Sequence, residues 1–182
     1  MLCISCATPR MKVENFSASS EQGLIFGTIS FPKEKPRFDG YFPSIIYTSD
    51  SKEEVKKNSN ELHIKPNLTS GKHDGELLGG KTYLFVLNKE PGNYKIAGVR
   101  LALVGVGGHV SGDIIKDFEI PFEVKKGEIT YIGDISINEY AFGKDTIIKL
   151  SDKFDRDLDA IKHRKSSIDW SAAKKSGLII NY

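Results

Sequence analysis

Cys3 and Cys6 are the residues of this chain with the most evident chemistry. Their Cys-x-x-Cys spacing suits a zinc ligand pair or a dithiol that cycles to a disulfide. A structural zinc site needs four ligands, and no second pair of cysteines or histidines follows at a matching spacing. A thioredoxin-like motif needs a strand before it, and only two residues precede Cys3. Two ordinary thiols in a frayed terminus remain an alternative.

A second candidate site is the glycine-rich stretch at residues 105–113, GVGGHVSGD. A dinucleotide-binding loop follows a strand and opens a helix, with glycines spaced as Gly-x-Gly-x-x-Gly. The spacing differs here and the next segment is β-like, which favours a wide hairpin loop. His109 lies near Ser111 and Asp113, so a hydrolase-like enzyme using this loop is an alternative, although no Gly-x-Ser-x-Gly elbow is present.

Two groups of polar residues have side chains of the types that bind metal ions. Asp155, Asp157 and Asp159 have the spacing of the first three ligands in a calcium loop. Ala160 and Ser166 stand where that loop needs glycine and glutamate, so a helix explains the aspartates better. The histidines show no i, i+4 pairing and are interpreted as lone surface residues: His63, His73, His109 and His163. We expect no metal, no cofactor and no catalytic residues.

The overall charge argues against a nucleic-acid-binding role. The 26 Lys and Arg residues are interleaved with 24 Asp and Glu residues, giving a net charge of +2. Nucleic-acid binders carry a basic stripe that neutralises phosphates, and none is present. The hydrophobic fraction of 39% is typical of a globular chain, and no apolar run is long enough to span a bilayer as a helix.

Short apolar runs separated by turn signals predict a mainly β domain. Strands are expected at residues 24–31, 41–48, 61–65, 83–87, 94–104, 114–124, 129–137 and 146–150. The run at 83–87 is apolar throughout, which predicts a central strand that forms an antiparallel hairpin with 94–104. Gly133 predicts a bulge in its strand. The loops at 49–60, 66–81 and 105–113 are expected to form any contact surface.

The hydrophobic period changes near the C-terminus. Apolar residues at i, i+4 and i+7 predict a helix within residues 151–165, with Ser151 as its N-cap. A second short helix is expected at residues 168–176. Trp170 is interpreted as a staple that holds this region on the β domain, and ligand stacking on its ring is the alternative.

The first residues resemble a known export signal. Residues 2–7 (LCISCA) form a short apolar run, a small residue and a cysteine. This stretch resembles the lipobox of bacterial lipoproteins, although Cys3 stands where that motif has leucine. The resemblance implies a truncated signal, with Cys6 as the first mature residue carrying a diacylglycerol. Each buried methylene of such a lipid contributes about 0.8 kcal/mol to anchoring.

The residues after Cys6 fit the same interpretation. Residues 7–22 are mostly small and polar, which is typical of a flexible tether. In lipoproteins of Gram-negative bacteria, alanine after the lipidated cysteine is compatible with export to the outer membrane. The resemblance therefore implies a location at the cell envelope, on the periplasmic or surface face of the outer membrane.

Two central segments carry a second resemblance. GNYKIAGVR (92–100) and FEVKKGEITYIGDISI (122–137) resemble the closing hairpins of small bacterial lipoproteins with a transthyretin-like or carboxypeptidase-regulatory-like β-sandwich. The resemblance covers roughly residues 23–150. It implies a non-catalytic sandwich and supplies no active-site residues.

Together these observations predict a mainly β chain, an antiparallel β-sandwich of about seven or eight strands followed by one or two helices. Residues 1–22 would be a signal remnant and tether, 23–150 the sandwich, and 151–182 a helical appendage packed on it. The expected function is a lipid-anchored binding or structural module with an envelope protein as a possible partner. The alternatives are a hydrolase-like enzyme using 105–113 and a cytosolic binding domain.

Overall fold

A computed structural model of the chain describes residues 10–67, 69–105, 110–141 and 147–182. This part of the chain is mainly β. Its strands are β1 (Gly23–Ser30), β2 (Gly40–Tyr47), β3 (Asn60–Glu61), β4 (Thr82–Lys89), β5 (Gly92–Val104), β6 (Val110–Ile115), β7 (Ile120–Val124), β8 (Ile129–Ile137), β9 (Ile148–Ser151) and β10 (Lys174–Lys175). The helices are α1 (Lys52–Asn58) and α2 (Phe154–Arg164), and a 3₁₀ turn spans Trp170–Ala172.

The strands form two five-stranded sheets. The first has the order β10-β8-β1-β4, with β9 also paired to β8, and the second has the order β3-β2-β5-β6, with β7 also paired to β5. β8 runs parallel to both β1 and β10, whereas the other strand pairs are antiparallel. The expectation of a purely antiparallel arrangement is therefore wrong for the first sheet. A parallel pair needs a long crossover connection, and the whole second sheet lies between β1 and β8 in the sequence.

One hydrophobic cluster joins the two sheets. It contains Ile25 and Phe85 from the first sheet and Ile45 and Ile96 from the second, all fully buried. A second cluster covers the opposite face of the first sheet, where Phe26 and residues of α2 meet. The first sheet is thus buried on both faces, which explains why its strands are nearly continuous apolar runs.

β4 lies at an edge of the first sheet, so the prediction of a central strand is wrong. Its outer edge is covered by the chain before β1 and by Glu76. The Val86 N–H donates to the Arg10 carbonyl at 2.6 Å, and the Arg10 guanidinium donates to the Leu84 carbonyl at 2.8 Å. Glu76 accepts from the Leu84 N–H at 2.7 Å. Val13 is buried, so the chain from Arg10 onwards, which the sequence assigns to a tether, is held on the sheet.

β4 and β5 do not form the predicted hairpin. β4 pairs with β1, whereas β5 pairs with β2, β6 and β7 in the other sheet. The short turn between Lys89 and Gly92 carries the chain across the core from one sheet to the other. Strand pattern identifies each strand but not its partner, because partner choice depends on residues far away in the sequence.

The predicted strand at 114–124 is divided into β6 and β7. The break lies beside a bulge in β5. Pro43 and Ile45 of β2 are two residues apart, but their partners in β5, Val99 and Ile96, are three residues apart. Gly98 has a positive φ of 93° at this point, and Asp117 has a φ of 71° between β6 and β7. The bulge predicted at Gly133 is confirmed, since the register of β1 on β8 shifts beside it and its φ is 106°.

Residues 52–58 form a helix where the sequence predicts a loop. The Ser51 hydroxyl accepts from the Glu54 N–H, acidic residues occupy the first turn, and lysines occupy the last. None of its residues is buried. Capping and the helix dipole favour this helix, and neither depends on the apolar face from which hydrophobic periodicity predicts a helix.

The C-terminal region matches its prediction in part. α2 is present, but Ser151 ends β9, and Asp152 accepts from the Phe154 N–H instead. The second helix is reduced to the 3₁₀ turn, followed by β10. Trp170 is buried against Phe26, with ring centroids 5.3 Å apart, and donates from Nε1 to the Lys165 carbonyl at 2.9 Å, which confirms its role as a staple.

Candidate binding groove

A groove of about 790 Å³ lies between the β7 edge of the second sheet and the β10 edge of the first. On one side it is lined by Asn93, Tyr94, Lys95, Glu119, Pro121, Phe122, Glu123 and Lys125. Glu128, Thr130 and residues 174–177 line the other side. The volume lies within the range of roughly 300–1,000 Å³ that is common for ligand sites.

The C-terminal tail closes one end of this groove. The Ser176 N–H donates to the Tyr131 carbonyl at 2.9 Å, so the tail is still attached to the first sheet at this point. The Glu119 and Asn181 backbones then exchange hydrogen bonds of 2.8 and 2.9 Å, which attach the tail to the second sheet. The tail therefore crosses from the first sheet to the second at this end of the groove.

The backbone at the β7 edge points into the groove. The Thr48 N–H donates to the Asn93 carbonyl at 2.8 Å, so the polar groups of Asn93 point towards β2. Asn93 lies opposite Glu123, which makes this a non-hydrogen-bonded pair of the β5–β7 ladder. The N–H and carbonyl of Glu123 therefore point away from β5. The carbonyl of Pro121 points the same way, and proline has no N–H to offer.

The lysines that line the groove are all paired with carboxylates. The pairs are Lys95–Glu119, Lys125–Glu123 at 3.3 Å, Lys174–Glu128 at 3.4 Å and Lys175–Asp152 at 2.7 Å. Such exposed pairs contribute little to stability, but they give the groove a surface of mixed sign. This lining suits a ligand that carries both charges or exposed peptide groups rather than a phosphate.

A second group of titratable side chains is buried beneath α2. Thr28 contacts Asp134 and Asp157 at 2.9 and 2.8 Å, and Tyr131 donates to Asp157 at 2.8 Å. Arg156 donates to Asp157 at 2.7 Å. Burial raises the pKa of Asp134, and hydrogen bonds to its carboxylate offset part of that rise. Asp157 is wholly buried, so this network fastens α2 to the first sheet and is closed to a substrate.

His73 is buried, so its assignment as a surface residue is wrong. Its ring stacks on Phe31 at 4.0 Å and its Nδ1 contacts the Tyr83 hydroxyl at 3.0 Å. Burial lowers the pKa of His73 to about 4. Within the described residues, His73 Nε2 and Glu139 Oε2 are buried polar atoms without a hydrogen-bond partner. The turn-rich sequence around His73 contains no apolar period that would have predicted its burial.

The other predicted positions do not converge on a reactive site. Cys3, Cys6 and His109 lie outside the described residues, so the structure leaves the cysteine predictions and the loop enzyme alternative as they stand. Ser111 and Asp113 lie on the exposed strand β6. His63 stacks on Phe42, and His163 is exposed.

The aspartates of the suggested calcium loop also diverge, since Asp157 faces the core while Asp155 and Asp159 are exposed. In the part of the chain that the structure describes, no group of three or more His, Cys, Asp or Glu side chains is placed to hold a metal ion. None of the helices described is long and apolar enough to cross a membrane.

Comparison with known proteins finds little that is similar. No protein-family model and no curated protein matches the chain. One solved structure with a detectable match is a leucine-rich repeat protein from Bacteroides thetaiotaomicron VPI-5482, with 11% identity and a TM-score of 0.38. The match covers 68% of this chain and 15% of that one, so this chain spans a small fraction of its length.

Proposed function

We propose that this chain is a non-catalytic binding module of the bacterial cell envelope, anchored by a lipid on Cys6, that binds an extended polypeptide segment in the groove between β7 and β10. The observation that carries the proposal is the backbone of Glu123. Its N–H and carbonyl face a groove bounded by two sheet edges, which is the geometry used when a partner adds a strand to a sheet.

The arrangement of the two sheets supports a β-sandwich as the scaffold. Their inward residues alternate with outward ones and contribute to a single hydrophobic cluster. In a sandwich, two such inner faces interdigitate and leave the edges of the sheets exposed. The groove lies at one pair of these edges, so a rigid core supports it on both sides.

The lining of the groove supports an extended peptide as the ligand. A peptide that adds to the β7 edge would exchange hydrogen bonds with Glu123, and its next attachment would be the Pro121 carbonyl. Its side chains would alternate between the Lys95–Glu119 side and the β10 side, where charges of both signs are available. Backbone pairing would supply affinity, and these side-chain positions would supply specificity.

The position of Arg10 supports the anchor. Cys6 precedes Arg10 by four residues, which span at most about 14 Å when extended. Arg10 is fixed on the β4 edge, so a lipid on Cys6 would hold this edge close to the membrane. β4 and β10 are opposite edges of the first sheet, so the groove would face away from the lipid surface, towards a partner.

Peptide binding in the groove is tested with a displayed library of random peptides as the probe. We expect selected peptides to bind the whole chain, to slow hydrogen exchange at the Glu123 amide, and to lose at least tenfold in affinity on Glu123→Pro. Glu123→Gln is the matched control, since it removes the charge and keeps the N–H. A library that yields no binder, or binders that are equally weakened by both variants, would contradict peptide binding at this edge.

A further inference from the structure

The hairpin of β5 and β6 exposes an unusual amount of apolar surface. Among the described residues, seven large hydrophobic side chains are exposed, and four of them are on this hairpin: Leu103, Val104, Val110 and Ile114. Val104 and Val110 are directly opposite each other. Ile114 lies on the same outer face, because it is four residues after Val110 and every second residue of a strand projects from the same face. Leu103 is opposite Ser111 and projects from the other face. Exposed apolar side chains grouped on one face, here Val104, Val110 and Ile114, mark an interaction surface.

β6 is also an edge strand whose outer backbone groups are directed outwards. The Asp39 N–H donates to the Ala102 carbonyl at 2.8 Å, so the polar groups of Ala102 point towards β2. Ala102 lies opposite Gly112, and the N–H and carbonyl of Gly112 therefore point away from β5. By alternation the same holds for Val110 and Ile114. Within the described residues, no strand other than β5 pairs with β6.

The sequence of β6, VSGDII, is complementary to itself when two copies run antiparallel about Gly112. In that register Val110 faces Ile114 of the second copy, which pairs apolar side chains on one face. Ser111 faces Asp113 of the second copy, which places a hydroxyl donor beside a carboxylate. A register centred on Asp113 would oppose two like charges, which disfavours it. A slip by one residue would join the inner face of one copy's sheet to the outer face of the other's.

We infer that the chain forms a twofold homodimer in which the β6 edges of two copies pair antiparallel, centred on Gly112. The hydrogen-bonding groups of Val110, Gly112 and Ile114 are the ones directed at the partner in this register. The two second sheets would join into one continuous sheet, and the exposed Val104, Val110 and Ile114 of each copy would form a shared apolar stripe. This dimer uses neither the groove nor the lipid anchor.

Formation of the dimer exchanges one bond that is present in the single chain. The Ile114 N–H is now held by the carboxylate of Asp113 at 2.7 Å. In the dimer this N–H would donate to the Val110 carbonyl of the second copy, and the freed carboxylate would accept from Ser111 of the second copy. β6 contains no proline, so Val110, Gly112 and Ile114 each have both an N–H and a carbonyl to offer to the second copy.

The first experiment measures mass by sedimentation equilibrium over a range of protein concentrations, with reductant present. We expect the mass to approach twice that of one chain, and to stay at one chain for Ile114→Lys. Ile179→Lys is the matched control, because Ile179 is equally exposed but lies on the tail, and it should dimerise as the original does. A single-chain mass at all concentrations, or equal dimerisation of both variants, would overturn the proposal.

The second experiment tests the register by disulfide trapping, with Cys3 and Cys6 replaced by serine. Ser111 and Asp113 of opposite copies would form a non-hydrogen-bonded pair with Cα atoms about 4.5 Å apart, which a disulfide can span. A mixture of Ser111→Cys and Asp113→Cys chains should cross-link under mild oxidation, and Ser111→Cys chains alone should not. Absence of cross-linking in the mixture, or cross-linking of Ser111→Cys chains with each other, would overturn the register centred on Gly112.

Discussion

Single residues in the interior connect the helical region to the sheets through polar contacts. Asp157 is an example, since it accepts hydrogen bonds from Tyr131 and Arg156 while it is fully buried. The helical period of residues 151–165 predicts that one face of the helix points inwards, but it predicts apolar residues on that face and not an aspartate such as Asp157. An aspartate is tolerated there because its partners, Thr28 and Tyr131, come from strands far away in the sequence.

The two buried aspartates should respond differently to amidation. The raised pKa of Asp134 means that the folded state prefers the protonated form, so its contribution to stability is lost as pH rises through its folded pKa. We therefore expect Asp134→Asn to increase the free energy of unfolding at pH 7, with the gain shrinking towards pH 4. Asp157→Asn should instead lose about 2 kcal/mol, because Arg156 hydrogen-bonds to Asp157 at 2.7 Å and lies farther from Asp134, at 3.7 Å. Urea unfolding at several pH values measures the unfolding free energy of both variants. Equal losses of stability in the two variants would contradict the different roles given to Asp134 and Asp157.

His73 should make the protein sensitive to acid. Its pKa is about 4 in the folded state, below the usual 6.5, because burial disfavours the charged ring. Unfolding therefore takes up a proton between these values, and stability should fall by about 3 kcal/mol as pH drops from 6.5 to 4. His73→Phe, which can keep the stack on Phe31, should flatten this decline. The exposed His163→Gln is the control, and an equal effect of both variants would show that His73 is not the source.

At the scale of elements, the strands follow from the sequence but their partners do not. The strands at 23–30 and 129–137 match nearly continuous apolar runs because their sheet is buried on both faces, and the strand at 40–47 matches an apolar run bounded by turns. The partners of β4 and β5 were not predictable, because the chain changes sheets at a turn that resembles an ordinary hairpin turn. α1 was missed because capping by Ser51 supports it without an apolar face.

Trp170 should dominate the attachment of the C-terminal elements. Its ring is buried against Phe26 and its indole N–H is satisfied by Lys165. Trp170→Ala should lose about 3–5 kcal/mol in unfolding free energy, as expected for a large core truncation. Trp170→Phe should recover part of this loss, since it restores ring contact without the hydrogen bond. Guanidinium unfolding measures both, with the exposed Ser171→Ala as the control, and a loss below 1 kcal/mol for Trp170→Ala would contradict the staple.

At the scale of the whole molecule, four sheet edges would serve three purposes. The β4 edge holds the chain from Arg10 onwards, the β7 and β10 edges form the groove, and β6 pairs only with β5 among the described strands. The sequence predicted contact surfaces on loops at 49–60 and 66–81, and α1 occupies much of the first. The groove was not predictable from sequence, because it depends on where the tail leaves one sheet and joins the other.

The lipid anchor on Cys6 is tested by intact mass and detergent-phase partitioning of the protein expressed from its full upstream reading frame. Cys6→Ser is the matched control. We expect a mature chain that begins at Cys6, is heavier by a diacylglyceryl and an acyl group, and enters the detergent phase, whereas Cys6→Ser stays aqueous. An unmodified chain in the aqueous phase would contradict the envelope anchor and would favour a cytosolic binding domain.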